Sequence, residues 1–307
     1  MSAKTKIEWT ASADGTPGST WNPVRGCTRV SEGCRNCYAE RMAARRLPGL
    51  MSPTTGEPLA MMTPSGPRWT GRVELIESQV TIPLHWRKPR RIFVNSMSDT
   101  WHEKLHLRDI ARIYAVAAYC HWHTFVILTK RPENRLAAIK SGRFQELVEK
   151  VWEDLLSRRT ERPEEEADLQ WPLLNVWEGV SVEDRSSVQR IDALRETLAA
   201  LRFLSLEPLL EDLGELDLRG IGHVIAGGES GPGARPCRAE WIRSIVEQCK
   251  MAGTACFVKQ LGAYAILDPR YDRSISGWTR RLRDRKGGNP EEWPEDLRVC
   301  QIPEVRP

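Results

Sequence analysis

Residues 91–129 read RIFVNSMSDTWHEKLHLRDIARIYAVAAYCHWHTFVILT, and this pattern decides the fold. The runs at 91–95 (RIFVN) and 124–129 (TFVILT) are short, apolar and rich in β-branched residues, the signature of strands covered on both faces. Between them Leu107, Ile110, Ile113 and Ala117 recur at helical spacing, so 107–119 is read as an amphipathic helix. Strand, helix, strand is the parallel crossover unit.

The unit repeats in both directions. Further strands are expected at 175–182 (NVWEGVSV), 202–206 (RFLSL), 223–226 (HVIA) and 255–259 (ACFVK), with a first strand near 21–24. Helical stripes cover 144–156, 184–198 and 239–252, the last closed by Gly253. Strand and helix alternate about six times, which implies an α/β fold with a parallel sheet, open or closed into a barrel. Three stretches fall outside the repeat. Residues 47–71 read as a long loop insertion and 160–168 as a solvated charged run. The expected barrel ends at residue 263, and 264–307 form an extension pinned to it by Trp278 and Trp293.

Bulk composition narrows the function classes. No apolar run approaches the roughly 18 residues a membrane span needs, and the N-terminus lacks an apolar signal core, so a cytoplasmic location with no membrane contact is expected. Net charge is +4, from 45 basic and 41 acidic residues, which permits a nucleic-acid partner without arguing for one. Twelve tryptophans stand against five Phe and five Tyr; they serve packing or offer stacking faces for a planar ligand.

Residues 21–40 read WNPVRGCTRVSEGCRNCYAE, placing Cys27, Cys34 and Cys37 at Cys-x6-Cys-x2-Cys spacing just before a helix. Gly26 and Gly33 each precede a cysteine and let the backbone fold tightly around a small object. Three readings compete. A 4Fe-4S cluster on three thiolates keeps one iron open. Structural zinc needs a fourth ligand, which Cys120 or His85 would supply through the fold. The third reading is three incidental thiols. The absent fourth ligand nearby favours the open cluster. Cys249 and Cys256 are read as core thiols, and His102, His106, His121 and His123 as surface or rim residues.

Polar residues follow every expected strand: Ser96, Ser98 and Asp99; Lys130 and Arg131; Glu183 and Asp184; Glu207; Gly227, Gly228, Glu229 and Ser230; Gln260 and Gly262. Ligands of parallel α/β folds bind at these carboxyl ends. Residues 227–233 (GGESGPG) could let backbone amides approach a phosphate, although no Gly-Lys-Ser/Thr follows as in a P-loop.

The stretches TWNPVRGC, GCRNCYAERMA, RRIFVNSMSDTWHE, FVILTKRPENR, NVWEGVSVEDR, RFLSLEPLL and VIAGGESGPGARP together resemble a phage and prophage family with an N-terminal three-cysteine motif, itself similar to the radical S-adenosylmethionine enzymes. The resemblance implies a partial (β/α)6 TIM-like barrel and a cluster held by Cys27, Cys34 and Cys37. It also implies S-adenosylmethionine on the open iron, cleaved to a 5′-deoxyadenosyl radical after reduction by an external electron donor. It places the cofactor's amino acid portion near Ser96, Ser98 and Asp99, and its ribose and adenine toward Glu183 and Gly227–Ser230. Lys130, Glu207, Gly228 and Glu229 complete the cofactor-binding set. A partner protein encoded nearby is a further implication. This sequence departs from the radical-enzyme pattern in three ways. The first cysteine gap is six rather than three residues, Asn36 rather than an aromatic precedes Cys37, and Gly227-Gly228-Glu229 falls on a late strand rather than the second.

Two other functions stay open: a cluster-containing nucleic-acid-binding or redox-sensing protein, and a zinc-stabilised accessory protein that binds a partner. A nucleic acid or nucleotide derivative is expected as substrate. The basic and aromatic residues behind that expectation are Arg41, Arg45 and Arg46, Arg87 to Arg91, Lys130 and Arg131, with Trp86, Trp101 and Trp122 close in sequence.

Overall fold

A computed structural model describes residues 5, 7–11, 15–45, 50–158, 169–267 and 282–303. Arg46, Trp278 and the run 160–168 lie outside the described residues. Seven strands form one parallel half-barrel sheet whose spatial order is the chain order. They are β1 (Ser19–Trp21), β2 (Arg91–Val94), β3 (Thr124–Thr129), β4 (Val176–Ser181), β5 (Leu201–Leu206), β6 (His223–Gly227) and β7 (Ala255–Gln260). Six helices accompany them among the described residues: α1 (Tyr38–Arg45), α2 (Leu107–Tyr119), α3 (Pro132–Lys140), α4 (Arg143–Ser157), α5 (Arg190–Arg195) and α6 (Ala239–Ala252), besides the single turn Glu77–Val80.

Alternation of side chains along each strand builds two cores. The outer face carries Ile92, Val94, Phe125, Ile127, Val180, Leu204, Val224 and Val258 under the helices. The inner face carries Val126, Trp177, Phe203, Ile225 and Phe257, closed by Trp9. Trp9 stands on the short turn Glu8–Thr10 and packs edge-on against Phe93 at 5.1 Å and tilted against Phe203 at 6.2 Å. Gly179 is required here, because a Cβ would lie 2.3 Å from the Phe203 ring. The free edge of β7 is covered by the C-terminal segment: Val258 N–H donates to Val299 O and Gln301 N–H to Cys256 O, both at 2.8 Å. Trp293 is buried and its Nε1 donates to Gly287 O. Cys249 and Cys256 are core thiols.

Several elements differ from the sequence reading. The first strand is Ser19–Trp21 and stops before Pro23, which has no N–H for a ladder. The segment read as a long loop holds a hairpin, Ala60–Thr63 with Gly66–Trp69, packed on α1 through Ala43, Ala44 and Ala60. The helix expected over 184–198 is a short turn, Arg185–Ser187, then α5. Asp184 and Ser187 close a reciprocal capping box that satisfies this turn locally. Two helices, not one, join β3 to β4, and none joins β5 to β6 among the described residues. His102 and His123 are buried, not on the rim.

His123 lies among the rings of Trp86, Trp122 and Phe125, and His223 opens β6. Burial lowers both imidazoles to about 4. The folded pKa is depressed, so the stabilisation is complete above pH 6.5 and is lost as pH falls from there toward 4. Each histidine contributes on the order of 3 kcal/mol across that window. Melting temperature should therefore drop between pH 6.5 and 4, and the double variant His123→Phe, His223→Phe should flatten that slope. An unchanged slope in the double variant contradicts the assignment.

Candidate functional site

The cysteine segment leaves the sheet at the carboxyl end of β1. Val24–Arg25 pairs antiparallel with Glu74–Leu75, and Gly26 forms a bridge to Ser98. Gly26 has φ +87°, and a Cβ there would meet Arg72 O at 2.0 Å. The chain then turns through Glu32–Cys34 and enters α1 directly after Cys37. Cys27, Cys34 and Cys37 are free thiols, each half-buried.

Three polar anchors fix this loop to three strand ends. Beside Cys27, Thr28 Oγ1 accepts from Arg131 Nη2 at 2.7 Å and lies 2.8 Å from His102 Nε2. Arg131 also donates to Asp99 Oδ2 at 3.0 Å, and Thr129 Oγ1 donates to Asp99 Oδ1 at 2.7 Å. Beside Cys34, Ser31 Oγ donates to Glu183 Oε2 at 3.2 Å. Glu183 is fully buried and also accepts from Ser181 Oγ at 2.7 Å and Arg190 Nη1 at 3.0 Å, while Lys130 Nζ pairs with its Oε1. A Cβ at Gly33 would lie 2.4 Å from Glu183 Cγ, so glycine is what lets the loop sit on this carboxylate. Beside Cys37, Asn36 Nδ2 donates to Glu229 Oε2 at 2.9 Å, and Arg235 joins Glu229 to Glu32 O.

The electrostatics differ at each thiol. Burial opposes ionisation of Cys34, yet the Lys130 cation, the Val30 and Ser31 backbone and the Ser31 hydroxyl outweigh it, and its pKa is lowered. Burial raises Cys37 despite the backbone hydrogen bonds from Glu40 and Ala39 at the start of α1. Burial, then the Asp99 charge, pushes Cys27 up to about 12. Burial and the Arg131 guanidinium lower the neighbouring His102 to about 4.

The strand-end residues divide into two groups. Asp99, Glu183 and Glu229 are buried and hold the loop. Gly227 and Gly228 are buried as well; a Cβ on Gly228 would lie 2.3 Å from Leu261 O, and its N–H donates to Gln260 O. Their spacing serves close packing between β6 and the chain after β7. Ser96, Ser98, Lys130, Glu207 and Ser230 keep partial exposure at the mouth. Ser96 Oγ donates to Asn22 Oδ1 and Ser98 Oγ to Val24 O.

Sequence reading missed Ser31, Ser181, Arg190, Thr28, Asn36 and Arg235. Arg190 carried a usable signal, since a cation on the inner side of an apolar helical stripe needs a buried partner. The basic and aromatic residues expected to bind nucleic acid do not come together. Arg87 to Arg90, Trp86 and Trp122 precede β2 or β3 and Arg91 opens β2, so they lie at the amino ends of the strands. Trp101 is fully buried, and Arg131 is spent on Asp99 and Glu103. Arg41 and Arg45, on α1, remain near the cysteine loop.

Among the described residues, no three or more His, Cys, Asp or Glu side chains converge on a single ion. The fourth zinc ligands considered from sequence are out of reach. Cys120 and His85 precede β3 and β2, about 20 Å of strand away from the mouth. Thiolates that bind separate irons need not converge on one point, whereas the ligands of a single zinc must.

A family profile described as "Protein of unknown function (DUF5131)" matches residues 4–290. The chain belongs to this family. No curated protein and no solved structure matched. The family match spans both the cysteine loop and all seven strands that anchor it.

Glu183→Gln removes the one carboxylate that, among the described residues, pairs with both Lys130 and Arg190. The loss should be about 3–5 kcal/mol, the usual cost of leaving buried charge uncompensated, in urea denaturation. A thiol reagent should also label Cys34 faster in this variant and in Gly33→Ala. A loss below about 1 kcal/mol with unchanged labelling contradicts the anchor.

Proposed function

We propose that this chain is an iron–sulfur enzyme of the radical S-adenosylmethionine type, with Cys27, Cys34 and Cys37 as the protein ligands of a 4Fe-4S cluster. One observation carries the reading: the partly exposed Lys130 ammonium and the buried Arg190 guanidinium both pair with the buried carboxylate of Glu183, on which the loop rests beside Cys34. Both cations lie close enough to Cys34 to favour negative charge there, and a thiolate-bound cluster carries such charge. Backbone donors toward the sulfurs of Cys34 and Cys37 support the same charge.

A bound cluster would supply the electron that cleaves S-adenosylmethionine. The chain's own residues would hold and screen. Asp99, Glu183 and Glu229 fix the loop at three strand ends, and the inner core under Trp177 and Phe203 keeps water from below. Ser96, Ser98, Lys130, Glu207 and Ser230 are the strand-end side chains with surface left for a ligand.

Anaerobic reconstitution tests the proposal. The expected protein is brown, holds about four irons per chain, and forms 5′-deoxyadenosine from S-adenosylmethionine under a strong reductant. Cys34→Ala should lose the iron, and Cys249→Ala should keep it. Full iron with no 5′-deoxyadenosine would move the reading to a redox sensor, and stoichiometric zinc without iron would end it.

A further inference from the structure

Residues 41–73 run from α1 through the hairpin of Ala60–Thr63 and Gly66–Trp69. They hold five arginines against one carboxylate, Glu57, and neither lysine nor aspartate. Their net charge of +4 equals that of the whole chain, so the remaining residues are neutral in sum. Glu57 itself pairs with Arg72. The segment also carries four of the seven methionines.

α1 is two-faced. Ala39, Glu40, Ala43 and Ala44 are buried, and Ala43 and Ala44 pack on Ala60 of the hairpin. Tyr38, Arg41, Met42 and Arg45 recur at i, i+3, i+4 and i+7 and form the opposite stripe. Tyr38 and Met42 are exposed, at 50% and 47%, and so is Arg45. The hairpin adds Met61 and Met62, at 45% and 57%. Met61 stands across from Arg68 in the antiparallel register. With Val30 of the cysteine loop, five of the eight exposed large apolar side chains among the described residues lie on this unit.

Exposed apolar side chains rimmed by polar ones mark an interaction surface. The composition selects a protein as the partner. Tyr, Met and Arg are enriched at protein interfaces, while Lys, Glu and Asp are depleted. Thioethers adapt to irregular apolar surfaces, whereas a phosphate backbone would leave them in water. The arginine excess makes an acidic partner the complementary one. Position selects its role. Cys37 directly precedes α1, and Met42 lies about 7.5 Å further along the axis. A protein seated on the stripe therefore stands within roughly 12 Å of the cysteine loop, the length of α1. Redox encounters are brief and need only a small interface.

We propose that α1 and the hairpin form the docking surface for an acidic electron-carrier protein, which passes one electron to the cluster. The electron role rests on the proposed function; the surface does not. The carrier loses the electron, the cluster gains it, and no bond is made or broken in that step.

Two acidic carriers serve as probes, a flavodoxin and a ferredoxin. Calorimetry on the full-length protein, before and after anaerobic iron loading, reads docking. Stopped-flow loss of the cluster's absorbance near about 400 nm reads electron transfer. At least one carrier should bind and reduce the cluster, with affinity falling as salt rises. Arg45→Glu and the double variant Met61→Ser, Met62→Ser should each slow carrier-driven reduction about tenfold or more. Both should leave reduction by dithionite unchanged. Met251→Ser, on the last turn of α6 and 82% exposed in the parent, should change neither rate. Cys34→Ala should lose the iron yet still bind the carrier, so failure of the cluster and failure of the docking surface are read apart. If the wild type takes up no iron, the proposed function fails and the electron role with it. Binding by neither carrier, binding without reduction of a cluster that dithionite reduces, or carrier-driven rates unchanged in the folded arginine and methionine variants would overturn the proposal.

Discussion

Glu183 is a carboxylate with no exposed surface, set between Lys130 and Arg190, and the cysteine loop rests on it. An ionised carboxylate is removed from water at large cost unless every lone pair is engaged. Here Ser31, Ser181, Lys130 and Arg190 engage them. Ser31 comes from the loop, so the network is complete only when the loop is seated. Gly33 gives the steric half of the same constraint, since any side chain there would displace Glu183.

The other two anchors follow the same logic at different strand ends. Arg131 ties Thr28 to Asp99 and Glu103, and Arg235 ties Glu32 and, through Glu229, Asn36. One anchor therefore stands next to each cysteine. The half-barrel provides the spacing, because strands in chain order bring residues distant in sequence to one carboxyl-end rim. The inner core closed by Trp9 makes that rim rigid from below. Preorganisation of this kind holds thiol positions within narrow limits before any ligand arrives.

Legibility from sequence followed the physics of each element. The strands at 124–129 and 176–181 were readable because both faces are covered, so their apolar runs are nearly continuous. Helix 107–119 was readable because one stripe meets the sheet. The hairpin after residue 59 was not, because Pro, Gly and Met obscure its alternation. Cys27, Cys34 and Cys37 stood out by spacing, and the strand-end carboxylates by position. Which carboxylates hold the loop and which face the mouth depends on tertiary pairing. Arg190 and Arg235 lie far from Cys34 and Asn36 in sequence, and periodicity carries no information about such contacts. The same holds for His102 and His123, whose burial is set by neighbours on other elements.

The central claim is that three anchored thiolates hold a cluster and leave one iron to a ligand. Mössbauer spectroscopy of the iron-57-reconstituted protein, recorded with and without S-adenosylmethionine, tests it most directly. The account predicts a 4Fe-4S spectrum in which one iron of the roughly four changes its parameters when S-adenosylmethionine is added. Four irons that do not respond, or iron bound without cluster signals, would contradict it.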